Sequence, residues 1–232
     1  MKIIGIIGAM EEEVEALKKD IQVIKKVQRA SMEFLYGVIN QKEVVVVKSG
    51  IGKVNAGICT QILVDEFNVN YIINTGIAGS LKNEINIGDI VVSTDLIQHD
   101  VDARGFGYKL GEIPRMNTVE FKADEELINL AVEMNKKVNP DINTFSGRVL
   151  SGDQFISDGE VKERLINIFD GYCCEMEGAA IAQAAMLNNI PFVVLRAISD
   201  KADNSATVDY PEFEKQAIIH SAKLTKAIIE AI

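Results

Sequence analysis

The chain has no tryptophan, four prolines, three cysteines and two histidines among 232 residues, and no excess of basic charge. Each scarcity excludes something. Cys59, Cys173 and Cys174 offer two adjacent thiols and no CxxC pair, so neither a disulfide framework nor a zinc site is expected, and a reducing cytoplasm is the natural compartment. His99 and His220 are too few and too scattered for a metal cluster; no metal and no cofactor are expected. No apolar run approaches the length of a membrane span, and the first one, Lys2–Gly8, is too short for a secretion signal and is followed at once by acids. A net charge of −10 lacks the basic footprint of a nucleic-acid or anionic-membrane binder. What remains is a soluble protein, and nothing in its charge speaks against a neutral or zwitterionic small-molecule ligand.

What is present is alternation. Isoleucine- and valine-rich runs ("IIGIIG", "EVVVVK", "YIINTG", "GDIVVSTDLIQ", "PFVVLRAISD") read as strands buried on both faces. Between them, residues 11–20, 53–67, a stretch with Leu127, Ala131, Met134 and Val138 on one face, a segment capped by Asp158, "GAAIAQAAML" and 211–231 read as helices. Residues 101–119 show no period and read as a loop. No linker, repeat or composition shift divides the chain. The pattern predicts one α/β domain over residues 1–232, a three-layer α/β/α sandwich around a central mixed, largely parallel sheet. Ligands of such sheets gather at the carboxyl ends of strands, here Gly8–Glu13, Ser49–Gly52, Thr75–Gly79, Ser151–Ile156, Glu175–Glu177 and Ser199–Asp203.

"SGIGKVNAG" imitates a phosphate loop but fails both standard patterns: Val47 and Val54 stand where a Walker loop needs glycine and Ser/Thr, and Asn55 where a dinucleotide fingerprint needs glycine. It reads better as a tight strand-to-helix turn. No G-x-S-x-G elbow supports serine hydrolysis. Acids remain. Glu175 and Glu177 lie between an apolar strand and an apolar helix, and Asp200 closes a buried strand. A buried carboxylate is costly unless paired, hydrogen-bonded or protonated. Asp200 therefore either forms a structural bridge with Arg196 or Lys201, or does chemistry. Acids on several strand ends suit glycosidic cleavage, one protonating the leaving group and another activating water. The three acids of "GAMEEEV" suit a helix first turn, or one of them points back into a cleft.

"IGIIGAMEEEV", "KSGIGKVNA", "INTGIAG", "GDIVVS", "SGDQFI", "CEMEGAAIA" and "PFVVLRAISDKAD" together resemble the bacterial 5′-methylthioadenosine/S-adenosylhomocysteine nucleosidases of the purine nucleoside phosphorylase-like superfamily. The match is collinear from residue 2 to the terminal helix. The resemblance implies a hydrolase that cuts the N9–C1′ bond and releases adenine. It assigns Asp200 as general acid to purine N7 with Ser199 orienting it, Glu13 to the attacking water, and Met176 and Glu177 to the ribose hydroxyls. It stacks adenine on Phe155, reads the purine edge through Ile156, lines the sugar and alkylthio pocket with Met10 and Ile51, and sets Arg196 near the ribose. Glu175, Ile77 and Tyr210 complete the expected substrate-binding set.

The family is homodimeric, which implies that Phe106, Tyr108 and Pro114 of "GFGYKLGEIP" act in trans on the neighbouring subunit's pocket. Ile77 replaces a common serine, Gly178 a common alanine and Tyr210 a frequent phenylalanine; these bear on substrate preference. A phosphorylase of this fold must hold an anion, and the arginine-free loop carrying Glu11, Glu12 and Glu13 repels one. Futalosine hydrolase is the sister activity that also uses water. A silent binding protein would be expected to lack Glu13 or Asp200, and both are present.

Overall fold

The computed structural model describes residues 2–232. In chain order the elements are β1 (Ile3–Gly8), α1 (Glu11–Asp20), β2 (Gln22–Arg29), β3 (Met32–Ile39), β4 (Lys42–Lys48), α2 (Lys53–Phe67), β5 (Tyr71–Ser80), β6 (Ile90–Gln98), β7 (Phe121–Lys122), α3 (Glu125–Val138), β8 (Thr144–Ser151), α4 (Gly159–Phe169), β9 (Cys173–Glu175), α5 (Gly178–Leu187), β10 (Phe192–Asp200) and α6 (Ala206–Ala231). A short 3-10 turn, Arg104–Phe106, interrupts the loop between β6 and β7.

The strands form one mixed sheet in the order β10-β6-β8-β9-β5-β1-β4-β3-β2, and β10 also pairs with β5. That extra pairing closes five strands (β5, β10, β6, β8, β9) into a ring. The sheet is mixed, as expected, but it is not largely parallel, and part of it closes into a ring. Parallel pairings (β1 with β4 and β5, β5 with β10, β6 with β8, β8 with β9) are matched in number by antiparallel ones. The cause is local in part. Ala30–Ser31 and Asn40–Gln41 all take positive φ, the geometry of tight two-residue hairpin turns, so β2, β3 and β4 must run antiparallel. Strand β2 escapes the periodicity reading because "QVIKKVQR" buries Val27 alone; it is an edge strand whose lysines guard it against further pairing.

The "VVVV" of β4 alternates between two cores, as a period of two requires. Val45 and Val47 join the cluster under α2 and α5, while Val44 and Val46 join the one under α1, α3 and α6. Helices thus cover both faces of the sheet. A third, smaller cluster (Leu150, Ile156, Leu165, Phe169 and Cys174 among it) seats α4 near the strand ends. Asp158 caps α4 as expected, its Oδ1 accepting from the backbone N–H groups of Glu160 and Val161. Helix α6 begins at Ala206, earlier than the expected residue 211, and carries Pro211 inside it.

Candidate active site

Four carboxylates converge on a cavity of about 430 Å³ at the carboxyl ends of the strands. Glu13 is the third residue of α1, and its side chain folds back over the helix start. Its Oε2 accepts from the N–H groups of Ala9 (2.6 Å) and Met10 (3.0 Å), and its Oε1 from Ile77 N–H (3.2 Å). A Cβ at Gly76 would stand 2.7 Å from Oε1, so only glycine admits the carboxylate there. Its two neighbours behave differently: Glu11 is exposed and paired with Lys18 and Lys48, and Glu12 is exposed. Burial raises the Glu13 pKa, opposed by the Arg196 charge and the three N–H donors.

Asp200 is reached through a β-bulge. The β10–β5 register runs evenly to Ile198 and Ala78, then slips at Ser199 so that Asp200 lies beside Gly79. Its Oδ1 accepts from Ala202 N–H (2.8 Å) and its Oδ2 from the Ser199 hydroxyl (2.9 Å). A Cβ on Gly79 would meet Asp200 Oδ1 at 2.7 Å. The alternative ion pair is not made. Arg196 turns to Glu175, and the Lys201 ammonium turns to the carbonyl of Ile85. Burial, reinforced by Asp209 and Asp203, raises the Asp200 pKa against the pull of its two hydrogen bonds.

Glu177 stands at the start of α5, its Oε1 accepting from Gly52 N–H at 2.8 Å. Burial first, and the neighbouring Glu175 charge second, raise its pKa from 4.5 to about 8. Glu175 lines the same cavity, but its oxygens are occupied. Ser151 Oγ and an Arg196 amino group donate to it, as do the N–H groups of Glu177 (3.1 Å) and Gly178 (2.8 Å). Arg196 does not line the cavity; it lies behind it at 2% exposure, donating also to Asn74 Oδ1 (2.5 Å) and Leu195 O (2.9 Å). Arg196, expected near the ribose, is here the buried counterion of Glu175.

Met10, Ile51, Ile77, Phe155, Ile156, Met176, Ser199 and Tyr210 all line the cavity. The Phe155 and Tyr210 rings meet edge to face at 5.8 Å. Phe106, Tyr108 and Pro114 are not brought to the cavity of their own chain, and Phe106 is 87% exposed. Sequence reasoning did not single out Gln154 and Cys174, which also line it, nor Asp153. Asp153 precedes this lining loop and accepts the Lys53 N–H (2.8 Å) at the start of α2, a helix whose own N-cap, Gly52, has no side chain to do so. Its signal was its place in "SGDQFI" at a strand end. A larger hollow of about 820 Å³ along α4 is open to solvent and contains none of the four carboxylates.

Fold and site define a member of the phosphorylase superfamily, whose family model matches residues 3–230. Closer relatives narrow the assignment. The 5′-methylthioadenosine/S-adenosylhomocysteine nucleosidase of Staphylococcus haemolyticus is 43% identical over 99% of this chain and all of its own. The crystal structure of the Neisseria meningitidis nucleosidase with methylthio-immucillin-A superposes with a TM-score of 0.95, at 36% identity and full coverage of both chains. The Helicobacter pylori futalosine hydrolase gives a TM-score of 0.94, at 34% identity, covering 100% of this chain and 98% of its own. The chain belongs to the 5′-methylthioadenosine/S-adenosylhomocysteine nucleosidase family.

Proposed function

We infer that this chain hydrolyses the N-glycosidic bond of 5′-methylthioadenosine and S-adenosylhomocysteine, and of 5′-deoxyadenosine, releasing adenine and, from the thio substrates, the 5-thioribose product. One observation carries the reading: two buried carboxylates with no cation bonded to them, Glu13 and Asp200, face one small cavity from opposite ends of the Gly76–Gly79 stretch of β5. Asp200, kept protonated more readily by its burial, donates to purine N7. The N9–C1′ bond then breaks with its electron pair going to the base, and positive charge develops on the ribosyl centre. Glu13 takes a proton from water as the water oxygen bonds to C1′. Glu177 accepts from the ribose hydroxyls, beside Met176, and in its ionised form stabilises the cationic centre. Ser199 orients Asp200, Phe155 stacks on adenine, and Ile156 reads the purine edge through its backbone.

Met10, Ile51, Ile77 and Tyr210 form the sugar and 5′ side. Arg196 and Glu175 act as a buried brace for the glutamates. The whole chain works as one domain without a cofactor, in the cytoplasm, as a homodimer in which Phe106, Tyr108 and Pro114 close the neighbouring subunit's pocket. Incubation with methylthioadenosine in phosphate-free buffer is expected to release adenine and methylthioribose. Cleavage that requires phosphate and accumulates a ribose 1-phosphate would refute hydrolysis. The second reading, futalosine hydrolysis, is favoured by the likeness to the Helicobacter enzyme; side-by-side turnover of adenine and inosine-type nucleosides separates the two.

A further inference from the structure

The two ends of the cavity differ in exposure and in charge. Asp200 and Ser199 are 1% exposed, whereas Ile51, on the sugar and 5′ side, is 54% exposed and marks the mouth. With the base at Asp200 and the ribose at Glu177, the 5′ substituent of a bound nucleoside extends to the mouth. Tyr210 stands there, edge-on to Phe155, its hydroxyl 3.0 Å from Glu214 Oε1 and 3.5 Å from Met10 Sδ. A phenol has one proton for these two acceptors, and a carboxylate outbids a thioether for it. With its proton given to Glu214, the phenolic oxygen keeps its lone pairs for a donor from the cavity. Burial and the Glu214 charge keep the phenol protonated.

The charged side chains lining the cavity are Glu13, Glu175, Glu177 and Asp200; no lysine or arginine lines it. Asp209, whose charge acts on Asp200, and Glu214, which holds the Tyr210 hydroxyl, enter no ion pair among the described residues. We propose that the Tyr210–Glu214 pair makes this mouth selective for charge: 5′ substituents bearing an ammonium group are preferred to neutral ones, and those bearing only a carboxylate are disfavoured. The proposal rests on the nucleosidase reading and deepens it. A zwitterionic homocysteinyl tail binds with its ammonium on the Tyr210 oxygen and its carboxylate turned to water.

The test compares three adenosines of similar 5′ length, aminoethylthio, propylthio and carboxymethylthio, with methylthioadenosine as reference, near neutral pH. The expected kcat/KM order is ammonium, then neutral, then carboxylate, with about tenfold between the extremes at low salt. That ratio shrinks as ionic strength rises, because Tyr210 and Glu214 are only half-buried. Glu214→Gln and Tyr210→Phe each reduce the ratio, the second while keeping the ring. The salt titration of the unaltered enzyme stands even if a variant folds poorly. Equal rates for all three, or a preference for the carboxylate, overturn the proposal and leave the nucleosidase reading intact. Failure to cleave any of the four compounds overturns both.

Discussion

Two sides of one cavity hold carboxylates in opposite ways. On the Arg196 side, Glu175 receives a guanidinium, a serine hydroxyl and two backbone N–H groups, so both of its oxygens are already engaged. On the Asp200 side, an acid of similar burial receives one hydroxyl and one N–H, and the nearest lysine is bonded elsewhere. The same functional group is a brace in one place and a reagent in the other. What decides is whether its negative charge is answered, since an unanswered buried carboxylate holds its proton to higher pH and can deliver it.

The comparison breaks most sharply in activity. Asp200→Asn and Glu13→Gln should each lower kcat by about 10²–10⁴-fold, the usual worth of a positioned acid or base. The melting temperature should hold or rise, because a desolvated acid is removed. Near-normal turnover in either variant would strip that residue of its role.

Glu175→Gln should do the reverse. The isosteric amide keeps the shape but leaves the Arg196 charge buried without its partner, a loss of about 3–5 kcal/mol. For a chain of this length that is a fall in melting temperature on the order of 10 °C, readable by calorimetry. If Glu175→Gln melts like the parent, the brace is no brace.

Acidity supplies a smaller effect with a definite sign. Glu13, Glu177 and Asp200 all have folded-state pKa values raised above their ordinary 4.5 or 3.8. Between the unfolded value and the raised one, the folded protein binds more protons than the unfolded chain. The stability these groups contribute is thus fully present below about pH 4 and is lost as pH rises, for Glu177 until about 8. Glu177→Gln should remove its share. Its melting temperature should exceed the parent's by about 2–4 °C per kcal/mol regained above pH 8, with the gap closing near pH 4. A gap that widens on acidification would reverse the assignment.

Much of this contrast was legible in the residues. "GAMEEEV" showed acids at a strand-to-helix turn, but the residues alone did not say which one folds back; the family resemblance singled out Glu13, whose Oε2 accepts from Ala9 and Met10 N–H. The Asp200 question stayed open in the sequence, since Arg196 and Lys201 are equally available on paper. Only the register slip at Ser199 and the partners of the two cations resolve it. The closed ring was hidden for a similar reason: β9 is three residues long, and the β5–β10 pairing joins strands separated by more than a hundred residues. Edge strand β2 was invisible because its partners bury only one of its side chains.

The smallest expected effect tests whether the two sides are mechanically joined. Asp153 accepts Lys53 N–H through Oδ1 and donates its own N–H to Asp100 Oδ2 (2.9 Å), while Asp100 Oδ1 holds the Lys53 ammonium at 2.5 Å. The next residue back along α2, Gly52, gives its N–H to Glu177. Asp153 thereby ties the Gln154–Ile156 loop to the helix start that orients Glu177. Asp153→Ala removes an acceptor worth about 1 kcal/mol at a helix start, so KM should rise about fivefold while kcat changes less. Asp153→Asn keeps an acceptor oxygen and should restore most of that KM. If the alanine and asparagine variants behave alike, or if kcat falls while KM holds, the loop and the ribose carboxylate are positioned independently.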